Sequence, residues 1–114
     1  MPVEEVHPTD AAKVAAVERT LRETDPHSPD LPRRIVELAE LLRRAAGPSA
    51  APRTVTLFSQ ASAAAQQDPS LASRIQYGLG GSYRERYGQT HDPKDLDLAV
   101  LAGERAVAFA ALPA

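Results

Sequence analysis

The sequence predicts an all-α protein, a short right-handed solenoid of helix-turn-helix hairpins with about five helices. Three observations favour this fold class. Apolar residues recur at spacings of three and four along most of the chain, as on the buried face of a helix. Prolines follow Ser or Asp where these segments start, which is typical of helix N-termini. Hydrophobic residues make up 43% of the chain but aromatic residues only 4%, a composition that favours closely packed, alanine-rich helices over strands.

Composition also narrows the classes of function. A formal net charge of -2 leaves no cationic excess for phosphates, so nucleic acid is not an expected partner. The absence of cysteine excludes disulfides, thiolate metal sites and a thiol nucleophile. No stretch approaches the roughly 20 apolar residues that cross a bilayer. We therefore expect a single cytoplasmic domain of 114 residues without cofactor, metal or membrane partner, or a piece of a larger repeat array.

The first predicted helix follows a frayed lead-in over residues 1–8. Thr9 or Asp10 is expected to cap it, and it is expected to end near Thr24. Its apolar face is predicted to consist of Val14, Val17 and Leu21.

The second predicted helix covers about residues 30–46. Ser28 is placed to cap it, with Pro29 at the first helical position, and Gly47-Pro48 is expected to close it. A short linker is expected over residues 48–52. The predicted core stripe is Leu31, Ile35, Leu38 and Leu42.

The third predicted helix, at about residues 53–67, has the weakest pattern. Thr54, Val55 and Thr56 are poor helix formers in succession, so a short strand is the alternative at its start. Alanines further along restore the helical spacing. Asp68-Pro69 then provides the next start signal.

The last two predicted helices form a hairpin. In the first, apolar residues recur at every fourth position and are predicted to be buried, and the small residues Gly78 and Ser82 lie beside them on the same face. The second starts with Asp92 as N-cap and Pro93 at the first position. The stripe of the first is Leu71, Ile75, Leu79 and Tyr83; the single face predicted for the second is Leu96, Ala99, Val100, Gly103, Ala106, Val107 and Ala110.

A faint internal repeat divides the chain. Leu31 recurs as Leu71 at a separation of 40 residues, and Leu38 recurs as Leu79 at a separation of 41. We expect a B helix of a partial repeat over residues 9–25, a degenerate repeat over 28–67 and a better-formed repeat over 68–112. A compact five-helix bundle built from the same hairpins is the alternative.

The last of these repeats resembles the tetratricopeptide-type repeats of bacterial and fungal arrays that often precede a caspase-like CHAT domain. The resemblance covers roughly the last 45 residues and implies a helix-turn-helix unit in a scaffold that binds proteins. It is carried by Leu79-Gly80, Tyr83, Arg86-Tyr87, Thr90, Asp95-Leu96-Asp97, Ala99-Val100 and Ala106-Val107.

Two local motifs have structural explanations. Residues 78–82 are glycine-rich, but no strand precedes them and no lysine follows, so close helix packing is expected rather than a phosphate loop. Residues 91–97 hold one histidine and three aspartates, yet they lack the ligand order of a cation loop. Helix capping and the helix dipole explain those acids.

The resemblance places a partner-binding row on the face of the A helices that lines a concave groove in such proteins. A guanidinium matches a carboxylate, so we expect an acidic or C-terminal peptide as ligand; arginines that are merely solvated are the alternative. Self-association through the end helices, and ligand binding around Tyr77, Tyr83 and His91, are the rival functions. The predicted row is Arg33, Val36, Glu40 and Arg43 in one repeat and Arg74, Tyr77 and Arg84 in the next, with a gap at Gly81.

Overall fold

A computed structural model describes residues 8–65 and 67–113, and within them the chain is all-helical, as predicted. A single 3-10 turn at Gly47–Ala50 joins the second helix to the third, and no strand occurs in this part of the chain. None of these helices is long and apolar enough to cross a membrane. The helices are α1 (Pro8–Glu23), α2 (Leu31–Ala46), α3 (Ala51–Ala64), α4 (Pro69–Thr90) and α5 (Pro93–Ala110).

The start signals of α4 and α5 are confirmed. The carboxylate of Asp68 accepts a hydrogen bond from the backbone N–H of Leu71 at 3.1 Å. The carboxylate of Asp92 accepts one from the N–H of Lys94 at 3.0 Å. The end of α2 is also as predicted, because Gly47 adopts a positive φ of 58°, which disfavours residues that carry a Cβ.

Two of the predicted helix caps were wrong. Helix α1 already begins at Pro8, so Thr9 and Asp10 lie inside it rather than capping it; residues 1–7 of the expected lead-in lie outside the described part. Ser28 does not cap α2, since its hydroxyl oxygen accepts from the N–H of Asp30 in the preceding turn.

The expected linker at residues 48–52 is absent from the structure. Gly47–Ala50 forms the 3-10 turn, and α3 follows it directly at Ala51. Ala50 and Ala51 are both buried, so this segment is part of the packed interior.

The helices pack in chain order around α4. Helix α4 contacts α2, α3 and α5, and among the described helices α5 packs only on α4. Helix α1 packs on α2 and is joined to α3 by an ion pair between Glu18 and Arg53. Helices α2 to α5 therefore form the packed body, with α5 at one end of it, and α1 lies at the other end.

The main core lies between α2, α3 and α4. Phe58 of α3 is fully buried there and is the largest side chain without solvent contact. A second cluster joins α1 to α2 through Val14, Leu38 and Leu42. The main cluster comprises Val36, Ala39, Phe58, Ala61, Ala65, Leu71, Ile75, Leu79 and Ala102.

Each small residue in the middle of α4 accommodates a different neighbour. A Cβ on Gly78 would overlap the Phe58 ring of α3, and one on Gly81 would overlap the guanidinium of Arg43 on α2. Only Gly80 faces α5, as the hairpin prediction required. These glycines therefore allow close packing against three helices, α2, α3 and α5, rather than against α5 alone.

Polar groups also connect α4 to its neighbours in the interior. The hydroxyls of Thr54 and Ser82 lie 2.8 Å apart, and both residues are fully buried. A hydroxyl pair of this kind is stable in the core because each oxygen has a hydrogen-bond partner.

A buried carboxylate fixes the turn between α4 and α5. Asp95 is only 4% exposed and accepts hydrogen bonds from Arg86 Nε at 2.9 Å and from Thr90 Oγ1 at 2.9 Å. The hydrogen bond from Arg86 lowers the pKa of Asp95; burial opposes this shift, and the Thr90 hydroxyl adds to it. The carboxylate form therefore stabilises the hairpin.

We predict that Asp95→Asn flattens the acid dependence of stability. A carboxyl group whose folded pKa is depressed stabilises the fold above its unfolded pKa of about 3.9 and loses that contribution as the pH falls through the folded value. The variant should be less stable than wild type near neutral pH and should lose less stability below about pH 4. Urea unfolding between neutral and acid pH, followed by circular dichroism, measures both. Parallel curves for the two proteins would contradict the prediction.

Only part of the apolar face predicted for α5 is buried; the other part is exposed. Ala99 and Ala106 are buried against α4, together with Asp95 and Ala102. The remaining residues of the predicted face lie in solvent, because α5 has a neighbour on one side only. The exposed apolar stripe of α5 consists of Leu96, Val100, Gly103 and Val107.

Candidate protein-interaction surface

Charged side chains connect α2 to α4 along the predicted row. Arg74 Nη2 donates a hydrogen bond to Glu40 Oε1 at 2.6 Å, and Arg43 Nε donates one to Glu85 Oε1 at 2.8 Å. The hydrogen bond and the charge of Glu40 raise the pKa of Arg74, which keeps its guanidinium charged. Two predicted binding residues are thus paired with each other, and a third is paired with an acid from outside the predicted set.

Arg33 is paired as well. Its guanidinium lies 3.4 Å from the carboxylate of Asp68, and both side chains are largely exposed. Pairs of this kind contribute about 0–1 kcal/mol each. The pairs of Arg33 and Arg74 therefore contribute little to stability, and the side chains of both arginines remain about half exposed.

The structure overturns two parts of the predicted groove. Val36 is fully buried between α2, α3 and α4, because α2 contacts three helices and buries a wider arc than its leucine stripe. A partner cannot reach it in the folded protein. The gap at Gly81 is filled by the side chain of Arg43.

The other predicted residues gather around Tyr77. Glu40, Arg43, Arg74 and Tyr77 line one recess of about 460 Å³ together with Arg44. Arg84 is exposed on α4 but does not line this recess. Three arginines and one glutamate line the recess, so the formal charge of its lining is positive and the recess is basic.

A larger groove adjoins the recess and was not predicted. It has a volume of about 570 Å³ and lies between the first half of α4 and the end of α5. Tyr77, Arg74 and Glu40 border both depressions. The groove is lined by Glu40, Pro69, Ser70, Ser73, Arg74, Tyr77, Ala106, Val107, Phe109, Ala110 and Leu112.

Exposed apolar side chains concentrate at this groove and along α5. Tyr77 is 71% exposed and Val107 is 72% exposed, and both line the groove with Leu112. The other large apolar side chains that are exposed in the described residues, Leu96, Val100 and Leu101, also lie on α5. Tyr77, Val107 and Leu112 are solvated and lie together at the groove, which makes the groove the candidate interaction surface.

The histidine and aspartates of residues 91–97, considered above as a cation site, have structural roles. In the acidic segment, Asp92 caps α5 and Asp95 binds Arg86 and Thr90. His91 ends α4 in a left-handed conformation with φ of 56° and lies against the Tyr87 ring. Among the described residues no three potential metal ligands come together.

No protein-family model, curated protein or solved structure matches this chain. The resemblance to tetratricopeptide-type repeats therefore depends on the residues quoted for it above.

Proposed function

We propose that this protein is a non-catalytic, tetratricopeptide-like interaction module that binds another protein on the surface around Tyr77. The convergence of Tyr77, Val107 and Leu112 on one groove is the observation that supports it. An exposed tyrosine beside aliphatic side chains and arginines is the composition typical of binding hot spots. The basic recess next to the groove favours a partner with acidic groups.

The packing order supports the repeat interpretation. Each helix packs on the next, and the parallel pair α2 and α4 is joined by charge pairs, as expected of the A helices of successive hairpins. In this scheme α1 is the B helix of a partial unit, α2 with α3 is the degenerate repeat, and α4 with α5 is the better-formed repeat.

Pull-down from extract of the native cell, with purified wild type and a Tyr77→Ser, Val107→Ser variant as baits, tests the proposed function. Both residues are largely exposed, so the variant should keep its fold by circular dichroism. We expect the specific partner to be lost, since truncating hot-spot residues typically costs more than about 2 kcal/mol of binding.

Leu101→Ser is the matched control. Leu101 is 40% exposed on α5 but does not line the groove. The control should retain the partner. A partner that all three baits retain equally, or none at all with any bait and no self-association, would contradict the proposed function.

A further inference from the structure

The exposed stripe of α5 has the spacing of a coiled-coil seam. Leu96, Val100, Gly103 and Val107 follow one another at intervals of four, three and four residues. The stripe is about 16 Å long at 1.5 Å per residue. It continues into the groove through Val107, so that an elongated apolar surface extends along α5.

The residues at these positions favour a parallel pair of helices. With Leu96 and Gly103 at the d positions, Val100 and Val107 occupy the a positions. A β-branched residue at a with leucine at d is the combination that favours parallel two-stranded pairing. Nothing packs within 4 Å of where a Cβ on Gly103 would lie, so a second helix can approach closely there.

Charges at the edges of the stripe discriminate between orientations. Asp97 and Glu104 each follow a stripe residue, so both lie on the edge away from α4. Both are exposed, and neither forms an ion pair within the described residues. On the other edge, Arg74 lines the groove together with Val107, and its guanidinium is paired there with Glu40.

Two copies related by a two-fold axis can pair along this stripe in two directions. Antiparallel pairing brings the acidic edges of the two copies together, which is unfavourable. Parallel pairing brings the acidic edge of each copy to the groove edge of the other, where Arg74 and the basic recess lie.

We infer that the occupant of the stripe is a second copy of this chain, whose α5 lies parallel to the first. This inference rests on the proposed function, because it identifies the partner of the surface around Tyr77. Leu96, Val100 and Val107 each contact the same residue of the other copy. Glu104 of each copy lies near Arg74 of the other.

Sedimentation equilibrium over a wide concentration range tests the association. The wild type should reach twice the chain mass of 12.2 kDa. Val100→Asp places a charge in the seam and should raise the dissociation constant more than about tenfold. Leu101→Asp, the matched control at the next residue, should leave it unchanged. Equal effects of the two substitutions would overturn the assignment to this stripe.

A thiol tests the orientation, since the chain has no cysteine of its own. Leu96→Cys should form a disulfide between copies under mild oxidation, because parallel pairing brings the two positions together. Antiparallel pairing would place residue 96 opposite residue 107 instead. Cross-linking only in a mixture of Leu96→Cys and Val107→Cys proteins would therefore overturn the parallel geometry.

Failure of the inference can be distinguished from failure of the proposed function. One outcome is that the wild type stays monomeric while the Tyr77→Ser, Val107→Ser variant loses a different protein that the wild type captures. That outcome overturns the inference that the occupant is a second copy, but it is consistent with the proposed interaction module. A monomer that captures nothing through the groove overturns both.

Discussion

Phe58→Ala should lower the free energy of unfolding by about 3–5 kcal/mol, the range for truncating a buried aromatic side chain. Phe58 is fully buried at the junction of α2, α3 and α4, and most of the side chains around it are small or aliphatic. Alanines and glycines cannot extend into the space that the ring would leave, so the cavity should persist. A domain of this size has about 5–15 kcal/mol of stability in total, so the loss should be a large fraction.

Urea unfolding followed by circular dichroism measures this loss. The matched control is Val107→Ala, which removes apolar atoms from a side chain that is 72% exposed and should change stability by less than about 0.5 kcal/mol. Measurements at low protein concentration keep association from contributing to the control. Equal effects of the two substitutions would show that the ring does not organise the core.

Features encoded within a few residues could be predicted from the sequence. Asp68-Pro69 and Asp92-Pro93 start α4 and α5 because a short carboxylate side chain and a proline satisfy the first turn locally. Gly47 ends α2 for an equally local reason, its positive φ. Leu71, Ile75 and Leu79 are buried as their spacing indicates, since α4 must bury that stripe whatever its neighbours are.

Features that depend on the number of neighbours of each helix could not be predicted. Val36 lies beside the leucine stripe of α2 and looked accessible, but α2 contacts three helices and buries it. The opposite error occurred on α5, where Val100 and Val107 were expected to be covered and are exposed. Spacing indicates which residues share a face, whereas the fold decides how much of the helix surface is covered.

The candidate surface also combines features that the sequence indicates locally with features that depend on the packing of distant helices. The arginines of the row were found because they recur at helical spacing, but their acidic partners Asp68 and Glu85 come from a helix distant in sequence. The groove was missed because Tyr77 and Leu112 converge only after α4 and α5 fold into a hairpin. A signal was present in the sequence, namely that the apolar arc of α5 is wider than one neighbouring helix covers.

Gly78→Val should be destabilising by an amount near the upper end of the roughly 1–3 kcal/mol typical of overpacking. The added atoms would overlap the Phe58 ring, which is enclosed by the core and cannot move into solvent. Helix propensity does not account for such a loss, because valine is slightly better than glycine inside a helix. Gly88→Val is the matched control on α4, since nothing packs within 4 Å of its Cβ position, and it should change stability by less than about 0.5 kcal/mol.

Combining Gly78→Val with Phe58→Ala identifies the cause of the loss. If the ring is what the new side chain meets, the valine should partly fill the cavity that Phe58→Ala leaves. The double variant should then be more stable than the sum of the single losses predicts, with a coupling of about 0.5–3 kcal/mol between the two sites. Additive losses would show that the two residues act independently, and α3 would then not depend on a glycine of α4 for its close approach.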